Sequence, residues 1–112
     1  MTSFKQRNRR KINMYIINIT VNADLPEEKQ KEMFPLHVEW FKKHFQEGKF
    51  LMLGPFIDTD KHAGVIIAST ESREELDAIL KEDCYYPDFA KYEIREFEPK
   101  MIAENMADFI EK

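Results

Sequence analysis

Gly48-Lys49-Phe50-Leu51-Met52-Leu53-Gly54-Pro55-Phe56, then Asp58-Thr59-Asp60-Lys61-His62, then Gly64-Val65-Ile66-Ile67-Ala68, is the run on which the fold turns. Two short apolar segments flank a polar turn, the pattern of two strands joined by a hairpin. Gly48 just ahead of the first strand suits the stop of a preceding helix. Both strands are apolar on both faces: Leu51 and Leu53 oppose Met52, and Val65 and Ile67 oppose Ile66. A strand of that kind needs cover on each side.

Working outward, Tyr15, Ile17, Ile19 and Val21 alternate with Asn18, Thr20 and Asn22, a period-two strand with one apolar face. Asp24 is a candidate N-cap for a helix whose first turn holds Glu27 and Glu28 and which ends near Gly48. Pro35 within it removes a backbone donor and predicts a kink or restart. On the other side, Ser72-Arg73-Glu74-Glu75 matches a capping box. It opens a helix expected to reach about Asp83, with Leu76, Ile79 and Leu80 on one face. Phe89 to Phe97 reads as a fourth strand. Pro99 starts a predicted C-terminal helix over residues 100–112, with a stripe of Met101, Ile102, Met106, Phe109 and Ile110.

The order β-α-β-β-α-β plus a terminal helix is the ferredoxin-like, split-βαβ form of an α+β fold. Right-handed crossovers place both main helices on one face of a four-stranded antiparallel sheet. The second face is then bare in a monomer, and its apolar strands expose a large patch. A homodimer packed sheet to sheet is the expected solution.

Composition bounds the function. The chain has 112 residues, one domain's worth, and 43% are apolar, enough for one core. No window approaches about 18 apolar residues, so no transmembrane helix is predicted, and the N-terminus lacks the apolar run of a signal peptide. A single cysteine, Cys84, cannot form an internal disulfide, and a cytoplasmic setting is expected. Five bases and no acid lie in residues 1–13, so a whole-chain charge of −4 leaves −9 for the rest. An acidic body repels phosphate backbones, and nucleic acid is not an expected partner. Residues 1–13 read as a basic disordered leader, and 14–99 as the folded domain.

His37 lies on the helical face shared by Met33, Trp40, Phe41 and His44. It reads either as a core histidine bonded to a carbonyl or as an acid/base group. Asp83 follows Leu76 by two turns, on an apolar side and near a negative helix end, where an anion is disfavoured by about 0.3–1 kcal/mol. A partner such as His37 would offset that. The alternative is a helix that stops near Leu80, with Asp83 in the next turn. His37, His44, His62 and Cys84 show no metal-ligand spacing, and no metal is expected. Neither Ser69 nor Cys84 has a nucleophile motif around it.

His37-Val38-Glu39-Trp40-Phe41, Gly48-Lys49-Phe50-Leu51-Met52-Leu53-Gly54-Pro55, Ala63-Gly64-Val65-Ile66-Ile67-Ala68, Asp83-Cys84-Tyr85 and Tyr92-Glu93-Ile94-Arg95-Glu96-Phe97-Glu98-Pro99 form an ordered set. That set resembles the YciI-like (YCII-related) family over about residues 14–99. Cys84 stands where the family usually has Pro, and Tyr86-Pro87-Asp88-Phe89 replaces its commoner turn. The resemblance implies a dimeric α+β barrel and a His–Asp site, here His37 and Asp83. It also implies cofactor-free chemistry of a lyase, dehydrochlorinase or isomerase kind, as a few members are implicated in breaking down substituted aromatic rings. On this reading His37 is the general acid/base and Asp83 orients it. Trp40, Met52, Phe56 and Tyr85 line a pocket for a small cyclic or aromatic compound. The rival readings are a non-catalytic dimeric binding module and a cofactor-free monooxygenase of the dimeric barrel type.

Overall fold

The computed structural model describes residues 13–110. The basic leader expected over 1–13 lies outside them except for Asn13, which pairs with Thr70 at the start of the first strand. The elements are β1 (Asn13–Val21), α1 (Glu27–Gln46), β2 (Phe50–Pro55), β3 (Ala63–Thr70), α2 (Arg73–Lys81), β4 (Ala90–Phe97) and a short 3-10 turn (Met106–Phe109). The sheet order is β2-β3-β1-β4 and every pair is antiparallel. This is the expected α+β, ferredoxin-like arrangement.

Register settles which side of each strand is inward. Ile17 pairs with Ile66 and with Ile94, and Tyr15 with Ala68, so these residues share the helix-covered face. Tyr15, Ile17, Ala68, Leu76 and Leu80 have 1% exposure or less there. Burying each large one contributes about 1.5–3 kcal/mol. On the opposite face Ile16 pairs with Ile67, Met14 with Phe97, and Met52 with Ile67. A bulge between Phe50 and Met52 sets the parity of β2. It turns Phe50 and Leu53 inward and leaves Met52 outward and 46% exposed. Gly64 is required by close approach: a Cβ there would stand 2.8 Å from the Gly54 carbonyl oxygen.

Several local expectations are corrected. Helix α1 runs unbroken through Pro35. The freed Lys31 carbonyl lies on an exposed residue, where water can satisfy it. Its N-cap is Pro26, not Asp24, and no side chain caps it. The C-terminus is a Schellman turn: the Lys49 N–H donates to the His44 carbonyl at 2.9 Å, the Gly48 N–H to the Phe45 carbonyl at 3.1 Å, and Gly48 has φ 85°. In α2 the Ser72 hydroxyl accepts from the Glu75 N–H at 3.0 Å, but the Glu75 carboxylate reaches the Glu71 N–H, not that of Ser72. Helix α2 ends at Lys81.

The C-terminal helix expected over residues 100–112 is absent from the described part. The four-residue turn Met106–Phe109 is the one helical piece among the described residues after β4. Met101 is 93% and Phe109 74% exposed. An amphipathic stripe stabilises a short helix only against a surface, and the described residues supply none.

Candidate functional site

The site forms where α1, the turn after α2, and β4 meet. His37 sits at mid-length of α1. The chain leaves α2 through the C-cap Glu82, and the Asp83 N–H donates to the Leu80 carbonyl at 3.1 Å while the Asp83 carbonyl accepts from Tyr86 N–H at 3.0 Å. Asp83 is therefore in a turn beyond the helix, and its carboxylate also meets the imidazole. The two readings of this residue were not exclusive.

His37 Nδ1 is 2.8 Å from Asp83 Oδ1, and the Asp83 side chain has 0% exposure. The second carboxylate oxygen accepts from the Tyr92 hydroxyl at 2.6 Å. Short bonds of this kind to an ionised acceptor are stronger than neutral ones. Burial first, then the bond to Asp83, pushes the Tyr92 phenol far above its usual range. Tyr92 thus remains a neutral donor. With Asp83 accepting at Nδ1, the neutral imidazole carries its proton there and leaves Nε2 free. Among the described residues no group bonds Nε2, and the ring keeps 13% exposure.

Beside the ring lies a cleft of about 260 Å³, walled by Phe34, His37 and Phe41 of α1, Leu53 to Phe56 of β2 and its exit, Lys61 to Ile66, Ile19, Val21 and Tyr85. Its volume is at the small end for ligand pockets, which suits one compact molecule. Two residues expected to line the pocket, Phe56 and Tyr85, do so. Two do not. Trp40 is 6% exposed, its indole N–H donates to the Ile79 carbonyl at 2.8 Å, and its ring stacks on His37 at 5.3 Å. It braces the imidazole from the core. Met52 faces the other side of the sheet, because of the bulge.

Tyr92 was not anticipated as a member of the site. Its signal was available: it occupies an inward position of β4, between Ala90 and Ile94, and a buried tyrosine hydroxyl needs a partner. Phe34, Phe41, Leu53 and Lys61 were also missed. Tyr85 donates to Gln30 Oε1 at 2.9 Å, and burial pushes its phenol up to about 12. Cys84 donates to the Met33 carbonyl at 3.2 Å, and its thiol is pushed up to about 11, by burial first and then by Asp83. It is a thiol at neutral pH, a poor nucleophile. His44 stands apart with Glu82, at 2.9 Å, and Glu82 is held below the usual carboxylate range mainly by that bond.

Among the described residues no group of three His, Cys, Asp or Glu side chains could hold a metal ion. No helix among them is long and apolar enough to cross a membrane. The chemistry within reach is proton transfer: a histidine with one free nitrogen, its other nitrogen anchored to a buried acid, facing a mostly apolar cleft.

No curated protein matches the chain significantly. The family model for the YCII-related domain matches residues 14–98, from the second residue of β1 to the residue after β4. The chain belongs to the YCII-related domain family.

Proposed function

We propose that this protein is a cofactor-free acid/base enzyme acting on a small cyclic or aromatic compound by elimination or isomerisation. The observation that supports it most is the His37–Asp83 bond at 2.8 Å, with Asp83 wholly buried and the imidazole bordering the cleft. His37 Nε2 takes a proton from a carbon beside an electron-withdrawing group. The released electron pair forms a new double bond and either expels a leaving group or shifts an existing double bond. In isomerisation the imidazolium returns the proton to another carbon; in elimination it gives it to water. Asp83 fixes the tautomer and stabilises the imidazolium, and Tyr92 holds the acid in place. A core histidine bonded to a carbonyl would have needed neither a buried acid nor a cleft.

The working unit in this proposal is a cytoplasmic homodimer. The sheet face opposite the helices carries Met14, Ile16, Met52, Val65, Ile67 and Phe97, an apolar group bordered by Asn18, Glu93 and Arg95, as at an interface with a polar rim. The test of function is turnover of a panel of halogenated hydroxyquinones and unsaturated lactones, followed by absorbance. Activity that His37→Gln lowers by about 10²–10⁴-fold supports acid/base catalysis. Turnover that survives His37→Gln, or tight binding with no turnover of any panel member, contradicts it; the second outcome favours a binding module.

A further inference from the structure

We propose that the occupant of the cleft is an anion: an apolar ring body against Phe34, Phe41 and Phe56, with one negative charge at the Lys61 ammonium. This rests on reading the cleft as the substrate site and adds the charge of what enters it. The part of the chain after residue 13 carries −9, so a cleft placed at random on this body would present carboxylates. None lines this one. Asp83 lies behind His37 with both oxygens engaged, by His37 and by Tyr92. Tyr85 is kept protonated and has its hydroxyl on Gln30.

Lys61, an exposed residue, is the one lysine or arginine among the lining residues, with His62 beside it. Lys61 forms no ion pair with any described residue, a state it shares with Lys29, Lys31, Lys42 and Lys81, but of these it alone lines the cleft. Asp58 and Asp60 share its turn without lining the cleft. The turn is pinned: the Lys61 N–H donates to Thr59 Oγ1 at 3.2 Å, and the His62 carbonyl accepts from the Val21 N–H at 2.8 Å. A lysine lining an apolar cleft attracts an anion, and the attraction strengthens as the anion leaves bulk water for the less polar cleft. A cation there would meet repulsion, and a neutral ring would gain nothing from the lysine.

Isothermal titration of the full chain with naphthoate, naphthamide and naphthylmethylammonium tests this. Naphthoate should bind about tenfold more tightly than naphthamide at low salt, a difference of about 1.4 kcal/mol, and added salt should shrink the gap. The cation should bind most weakly. Lys61→Met, a surface change, should erase the gap and leave naphthamide within about twofold. His37→Gln should keep the preference for naphthoate, so failure of the catalytic reading and failure of this one are separable. Naphthoate binding no better than naphthamide, no binding of either, or a preference that survives Lys61→Met but is lost in His37→Gln would each overturn the assignment.

Discussion

Asp83→Asn keeps the shape of a buried carboxylate and removes its charge. The side chain has no exposure and accepts two bonds, 2.8 Å from His37 and 2.6 Å from Tyr92. Hydrogen bonds to charged groups contribute about 1.5–3 kcal/mol net, and neutral ones about 0.5–1.5. Two such exchanges lose about 2 kcal/mol. The carboxamide has one acceptor oxygen and one donor nitrogen, so His37 or Tyr92 must also reverse its role. Burying a neutral amide costs less than burying a carboxylate, which offsets part of the loss. The expected net loss is about 1–3 kcal/mol, or a Tm lower by roughly 4 °C per kcal/mol in a domain of this size. Tyr92→Phe removes one of the two bonds. Urea denaturation at neutral pH of the wild type, both single variants and the double variant should give a coupling energy of about 1 kcal/mol between positions 83 and 92. Effects that add within about 0.3 kcal/mol, with Asp83→Asn as stable as the wild type, would refute the claim that the three side chains act as one network.

Gly64→Ala should destabilise the fold by about 1–3 kcal/mol, because its Cβ would stand 2.8 Å from a backbone oxygen, whereas Gly54→Ala meets nothing within 4 Å and should cost far less; equal denaturation midpoints would contradict this. Tyr85, Cys84 and Tyr92 all have folded-state pKa values above their free ones. Their contribution to stability is full below the unfolded values, about 8.5–10, and is lost as pH rises through the folded ones. Urea midpoints should therefore fall from about pH 9 upward, less steeply in Tyr92→Phe; a flat profile to pH 11 is the contrary result. Truncation after Pro99 should leave Tm within roughly 2 °C, since Met101, Ile102, Phe109 and Ile110 are exposed; a larger drop would place that segment against a surface. Met52→Lys should yield a folded monomer by light scattering, while Ile66→Lys, at a position 4% exposed on the helix face, should unfold the chain.

The topology was legible because β1 and β4 alternate cleanly and because Gly48 and Ser72 mark helix ends by their local chemistry. The His37–Asp83 meeting was legible because a split βαβ fold lays both helices on one sheet face, where an acid on an apolar side requires a partner. Met52 was misplaced for a specific reason. In a strand apolar on both sides, parity cannot be taken from hydropathy, and a bulge at Leu51 shifts it. Trp40 was misplaced because helical periodicity gives a face and not a depth; the Ile79 carbonyl draws its indole into the core. Tyr92 was legible as an inward residue of β4, but that its hydroxyl meets Asp83, nine residues earlier, depends on the turn between them. The C-terminal stripe shows the limit of periodicity: Met101, Ile102, Phe109 and Ile110 form a helical pattern that packs against nothing among the described residues.

Acid/base chemistry at His37 depends on which ring nitrogen carries the proton. Nitrogen-15 NMR of histidine-labelled protein, above the pH at which the ring is neutral, distinguishes the two tautomers. The proton should be on Nδ1, held by Asp83, with Nε2 unprotonated and its signal moving when naphthoate enters the cleft. That fixed tautomer should be lost in Asp83→Asn. A proton on Nε2 in the wild type would leave no base facing the cleft and would contradict the proposal.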